Sequence, residues 1–373
     1  MKRNIYLKTI PPAEAVARVK ASIDREALIR EETIPSHEAS GRVLAHAVHA
    51  RYSSPTFHSA AMDGYAVNAR STFAAREGHP LTLKAGETCF AVNTGHPMPE
   101  GCDAVIMIEQ VVLDGGSVTI EAPAFPWQHV RRIGEDIVAT ELLFPRNHQL
   151  RPWDVGALLS GGIWDVPVWE RVTVRIIPTG DEVLDFTTHP DPGKGQVVES
   201  NSQMLAALAR ELGCVVERAA PVPDNPEALH QALKDSLDAG RHLTIFCAGS
   251  SAGSKDFTRA TLEKEGEILT HGIAAMPGKP SLLANCRGRL VAGAPGYPVS
   301  ALVCFKELLE PLISWLSHRE PPAKTVVPVE LTRTVPSRPG VEEHLRVSIG
   351  RVGVQLAPTP PCPRAGNTTT RPP

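Results

Sequence analysis

Apolar residues recur at helical spacing over residues 12–31. Ala15, Val16, Val19, Ile23 and Leu28 follow Pro12, a residue suited to a first helical turn, so one helix is predicted there. From about residue 45 to 145 the pattern shortens. Runs such as Leu81-Thr82-Leu83, Ala104-Val105-Ile106-Met107-Ile108 and Val118-Thr119-Ile120 alternate with Gly, Pro and Asn, which predicts a β-rich region. A short helix is predicted over 152–159. From 171 onward, strand and helix patterns alternate. Strands are predicted at 172–177, 214–219, 243–247 and 290–293. Helices are predicted at 202–212 with Asn201 as N-cap, at 226–239, and from Pro298 to about Leu316. That order predicts a doubly wound, mostly parallel sheet, whose ligands sit at loops beyond the carboxyl ends of the strands. Pro321-Pro322 reads as a linker, residues 323–373 have room for two or three short strands at most, and Pro358–Pro373 reads as a disordered low-complexity end.

Composition adds exclusions. Across 373 residues, 38 Lys and Arg face 41 Asp and Glu, so the net charge of −3 gives no bulk attraction to nucleic acid. No apolar run approaches the roughly 18 residues of a membrane helix, and the basic start lacks a signal-peptide apolar core, so a cytoplasmic protein is expected. The seven cysteines are scattered without a CxxC, which suggests reduced thiols and no zinc site. Prolines number 34, and eleven of them fall in 321–373.

The loops carry the chemistry. Asp181 and Glu182 form adjacent carboxylates on a tight turn after a parallel strand, placed to hold a hard cation or simply to cap a solvated turn. Gly249-Ser250-Ser251-Ala252-Gly253-Ser254-Lys255-Asp256 is a Gly/Ser loop entering a helix. It is suited to turning backbone N–H groups onto an anion, yet lacks the Walker spacing. In Met276-Pro277-Gly278-Lys279-Pro280 two prolines stiffen the chain around a lysine, a point charge for phosphate. Pro295-Gly296-Tyr297-Pro298 precedes the last long helix and could wall the same cleft. In the N-terminal half, Ser59–Val67 reads locally as a buried turn and Arg131–Asp136 as a charged one.

Together these segments resemble the molybdopterin molybdotransferases, the molybdenum insertases that include the gephyrin E domain. The matching stretches are Ser59–Val67 (SAMDGYAV in the family), 94–105 (TGAxxPxGADAV), Arg132–Asp136 (RxxGED), Pro178–Glu182 (PTGDE), Glu199-Ser200-Asn201, Gly249–Asp256 (GxSxGxxD), Pro277–Pro280 (PGKP) and Pro295–Ala301 (PGxPVSA). They fall in the family's order over residues 10–318. The resemblance implies a multidomain α/β plus β protein. Its expected parts are an elongated domain (1–45 with 146–170), an inserted β-rich domain (46–145), an α/β molybdopterin-binding domain (171–318) and a shortened C-terminal β segment (319–373). It also implies the activity: molybdate is inserted into adenylylated molybdopterin with Mg²⁺-dependent release of AMP. A homodimer with the cleft between subunits is implied, with the molybdopterin adenylyltransferase as pathway partner.

By position, the resemblance assigns catalytic roles to Asp63, Asp136, Glu182, Asp224 and Asp256. It assigns metal binding to Asp181, Glu182 and Asp256. Substrate or phosphate binding falls to Thr94, Gly249, Ser250, Ser251, Gly253, Ser254, Lys279, Pro295 and Pro298. Departures from the family are an extra alanine in Ser59-Ala60-Ala61, Ala248 in place of a glycine, Met276 where a basic residue often precedes PGKP, and Gly272 near the place of a lysine found in some members. Two other readings stand beside the insertase: an enzyme like the adenylyltransferase, and a non-catalytic scaffold that kept the fold.

Overall fold

Buried apolar runs build the centre of the larger of two units. Leu243–Cys247 is buried at every position, as expected for a parallel strand covered on both faces. The structure is a computed structural model that describes residues 8–247, 257–328, 334–352 and 355–359. One compact unit comprises residues 1–32 with 169–373, and the other residues 33–168.

The larger unit holds a six-stranded sheet of Thr173–Pro178 (β1), Val215–Arg218 (β2), Leu243–Cys247 (β3), Gly266–His271 (β4), Leu282–Cys286 (β5) and Arg289–Ala294 (β6). Their order is β2-β1-β3-β6-β5-β4. The first four are mutually parallel, and β5 and β4 add an antiparallel edge. The mostly parallel sheet is the expected one. The antiparallel edge was not anticipated, because its apolar residues carry no sign of direction.

Helix Pro226–Asp238 begins at Asn225, whose side chain accepts from the Ala228 N–H at 2.8 Å. It turns Leu229, Leu233 and Leu237 into a core with Ile177, Phe246 and Val291. Burying a leucine such as Leu233 contributes roughly 1.5–3 kcal/mol. The helix Asn201–Glu211 starts at Ser200, so Asn201 is its first residue and not its cap; the Glu199 carboxylate accepts from the Ser202 N–H instead. The apolar rod from Pro298 to Leu316 forms as expected, with one wider, π-helical turn at Phe305–Leu309.

The single helix expected over 12–31 is corrected. Pro12–Ser22 is helical, Ile23 is extended, and Arg25–Leu28 forms a separate short helix. The Asp24 side chain causes the break by accepting from the Glu26 and Ala27 N–H groups. Helix Pro12–Ser22 packs on β4 and β5, where Asn285 donates to the Ser22 carbonyl at 2.8 Å.

In residues 33–168, strand Gly64–Val67 lies between Cys89–Val92 and Ala104–Met107, antiparallel to both. A second sheet joins Leu81–Lys84, Ser117–Ile120 and Val112–Asp114. Val67, Leu83, Ile106, Val118 and Ile120 share one core. Helix Pro152–Ser160 contributes Leu158 to another, with Leu44, Leu150 and Val168.

Near the C-terminus, Glu342–Glu343 pairs in parallel with Ala275–Met276, and Ser348–Val352 pairs antiparallel with Gln355–Thr359. Most of the expected low-complexity end lies outside the described residues, which stop at 359. Among the described residues no helix is long and apolar enough to cross a membrane. Six cysteines are described and unpaired, five of them buried. Burial pushes the thiols of Cys214 and Cys286 up to about 12 and that of Cys304 up to about 11.

Gly64 tests the packing around the central strand. A Cβ there would lie 2.0 Å from the Ile106 carbonyl oxygen, backbone that cannot rotate aside. Gly64→Ala is expected to lower stability by about 1–3 kcal/mol in denaturant unfolding. An unchanged midpoint would contradict the tight pairing.

Candidate active site

Three of the four parallel strands, β1, β3 and β6, lead into motif segments at their carboxyl ends, and the chain after β2 leads to Asp224. After β1, Thr179 is buried, and both its N–H and its hydroxyl donate to the Cys247 carbonyl, at 2.9 and 3.0 Å. This ties the start of the acidic turn to the end of β3. After β2 the chain returns through Val222, which accepts from the Gly180 N–H at 3.2 Å. The next contact joins two of the expected carboxylate residues: Asp181 Oδ1 accepts from the Asp224 backbone N–H at 3.0 Å. Asp181 and Glu182 are both exposed, and the Glu182 carbonyl is held by the Val197 N–H at 2.9 Å.

After β6, Pro295 is buried and Gly296 exposed. Asn201 donates through Nδ2 to the Gly296 carbonyl at 2.7 Å, so the Glu199-Ser200-Asn201 and Pro295–Pro298 segments meet. The loop carrying Lys279 enters β5 on the same edge, since Leu282 is opposite Gly293. Lys279 is exposed, and its carbonyl accepts from the Ile273 N–H at 2.9 Å. After β3, the residues Gly249, Ser250, Ser251, Gly253, Ser254 and Asp256 lie outside the described residues.

Gly272 has a structural role here. It is buried with φ of +107°, a backbone that disfavours any side chain, and its carbonyl accepts from Ile10 N–H and the Thr270 hydroxyl. A lysine at this position would be strained. Met276 is 37% exposed, so a longer basic side chain would find room there.

Motif reading did not single out Arg218 or Asp185. Arg218, at the end of β2, donates to Ser202 Oγ at 2.9 Å and to Asp185 Oδ1 at 3.0 Å, and its guanidinium lies over the Phe186 ring. Ser202 in turn donates to buried Glu199. This network fastens the segment after the acidic turn to the helix Asn201–Glu211. Its one sequence signal was an arginine closing a short strand, Val215-Val216-Glu217-Arg218, in the α/β part of the chain.

The unit of residues 33–168 carries Asp63, Thr94 and Asp136. Asp63 Oδ1 accepts from Thr94 twice, from the N–H at 2.6 Å and the hydroxyl at 2.9 Å. The Thr94 backbone N–H, then its hydroxyl, hold the Asp63 carboxyl below its ordinary value, with a smaller contribution from His96. The two segments containing Asp63 and Asp136 are brought alongside by the pairing of Ser59–Ala60 with Val130–Arg131. Asp136 itself is exposed, with its N–H on the Ser54 carbonyl at 3.0 Å.

Residues 10–162 match the MoeA N-terminal region (domain I and II), and residues 175–315 match a probable molybdopterin binding domain. A molybdopterin molybdenumtransferase of Haemophilus influenzae is 34% identical over 309 residues, covering 78% of this chain and 74% of its own length. Molybdopterin molybdenumtransferase 2 of Mycobacterium tuberculosis is 32% identical over 359 residues, covering 89% and 87%. Two crystal structures of the molybdopterin biosynthesis protein MoeA from Pyrococcus horikoshii are similar, with TM-scores of 0.79 and 0.74 at 28% and 26% identity. They cover 96% and 94% of this chain and 91% and 90% of theirs.

The Asp63–Thr94 bonds favour the ionised carboxylate. Their stabilisation is present above the ordinary value of 3.8 and is lost as pH falls through the lowered folded value. A carbon-13 carboxyl titration is expected to place Asp63 below 3.8, and Thr94→Ala to move it part of the way back. A wild-type value at or above 3.8 would contradict the bonding.

Proposed function

The chain belongs to the MoeA family of molybdopterin molybdenumtransferases, and from that membership we propose that it transfers molybdenum from molybdate to adenylylated molybdopterin, releasing AMP. The observation that carries this reading is the gathering of acidic turn, Asp224, Asn201, Lys279 and the Pro295–Pro298 loop on one edge of a parallel sheet. An anionic ligand needs both donors and a counter-charge at such an edge. The family match over residues 10–162 also favours an insertase over an enzyme built from the α/β domain alone.

Each residue has a stated task. Ser250, Ser251 and Ser254, with the backbone of Gly249 and Gly253, bind phosphate oxygens. Lys279 neutralises phosphate or molybdate charge. Asp181 has one oxygen committed to Asp224, which leaves its second oxygen and both Glu182 oxygens for a hard cation. These donors fit Mg²⁺, with Asp256 as a third carboxylate, and the ion would supply charge neutralisation at the phosphates. Asp224 fixes the orientation of Asp181. Asp63, Thr94 and Asp136 bind or orient substrate from their own unit. Pro295 and Pro298 keep their loop stiff. The working form is a cytoplasmic homodimer with its cleft between subunits, and the molybdopterin adenylyltransferase supplies the substrate.

The test is AMP release from adenylylated molybdopterin with Mg²⁺ present. Release is expected to depend on molybdate. Asp256→Ala and Lys279→Ala should each reduce it by about 10²-fold while leaving the circular dichroism spectrum intact. Tight substrate binding without AMP would support the scaffold reading instead. Formation of the adenylate from ATP would support the adenylyltransferase reading.

A further inference from the structure

A separate cluster of ligating side chains lies in the larger unit. Glu307, Glu342 and His344 each present one donor atom, and the three atoms lie within 4.8 Å of one another. They come from two elements. Glu307 sits in the π-helical turn Phe305–Leu309 of the last long helix, and wider turns of this kind recur at functional sites because they re-aim a side chain. Glu342 and His344 belong to the segment that pairs with Ala275–Met276, held by the His344 N–H on the Met276 carbonyl at 2.7 Å.

Two features make the cluster more than a group of surface acids. The Nε2 atom of His344 is buried with no hydrogen-bond partner among the described residues. A buried imidazole nitrogen without a partner is costly, and a metal ion is one way to satisfy it. The Glu307 side chain is only 14% exposed, yet its counter-ion, Lys324, comes from the exposed linker and is itself 66% exposed. A largely buried carboxylate is thus balanced by a lysine that can swing away.

We propose that Glu307, Glu342 and His344 bind a divalent metal of the Zn²⁺ class. One imidazole and two carboxylates suit such an ion better than Mg²⁺, which favours all-oxygen sites with several waters. Ligand atoms around a bound ion are separated by about 3 Å, so small side-chain rotations from the present spacing, at most 4.8 Å, complete the set. The ion displaces Lys324 from Glu307 and fastens the helix to the strand beside Met276. It thereby braces the loop that carries Lys279.

Cobalt(II) is the probe, used on the full chain after chelator treatment and in excess Mg²⁺, which occupies any all-oxygen site. One equivalent is expected to bind with visible d–d absorption and to be displaced by Zn²⁺. His344→Ala and Glu307→Gln should each weaken binding by about tenfold or more, and Glu343→Gln should leave it unchanged. Lys324→Gln should strengthen binding, because it removes the competing cation. No saturable binding, thiolate charge-transfer bands, or wild-type affinity in His344→Ala would overturn the proposal. If His344→Ala fails to fold, Lys324→Gln decides, since its site is exposed; unchanged or weaker binding there would count against the site. AMP release does not enter this test, so its outcome is independent of the proposed transferase activity.

Discussion

A parallel strand cannot be followed directly by its neighbour, because the chain must cross back over the sheet before it can run the same way again. Each of β1, β2, β3 and β6 therefore ends at the same edge, and each crossing returns a new loop to it. Residues far apart in sequence, such as Asp181 and Asp224 or Asn201 and Gly296, meet there without any long-range design of their own. Helices on both faces supply the apolar burial that holds the strands in register, and the loops are left free to carry polar chemistry. The arrangement of the candidate site follows from this one topological limit.

The same limit explains what could be read from residues alone. Buried strands such as Leu243–Cys247 and amphipathic helices such as Pro226–Asp238 announce themselves by local pattern, and their alternation implies the parallel sheet. Loop motifs locate the chemistry because Gly, Pro and Asp cluster where backbone turns are tight. Pairings across the chain carry no such local mark. The pair of hydrogen bonds from Thr94 to Asp63 spans 31 positions, and the meeting of Arg218 with Asp185 spans 33. The helix expected over 12–31 failed for a local reason: Asp24 offers the backbone a competing acceptor, and periodicity does not register a cap in mid-pattern. Direction was equally hidden in β4 and β5, where apolar content says strand but not which way it runs.

Charge at the site shows how one position can serve structure in place of chemistry. At Gly272 the backbone takes a conformation that a lysine would strain, and the position ties the N-terminal segment to the sheet through Ile10. A lysine expected near this position from the family resemblance would meet a backbone that only glycine adopts without strain. Met276 has no such constraint; nothing in the structure explains the methionine.

The buried cysteines carry one further consequence. Molybdenum on a dithiolene is bound by sulfur, and a transferase must deliver it without retaining it. Thiolate is the form of cysteine that captures a metal. With burial raising the thiols of Cys214, Cys286 and Cys304 to between about 11 and 12, and that of Cys247 well above its ordinary value, the α/β unit keeps these sulfurs protonated at neutral pH. Held away from the thiolate form, these sulfurs are weak rivals for a metal that the proposed substrate holds through its own.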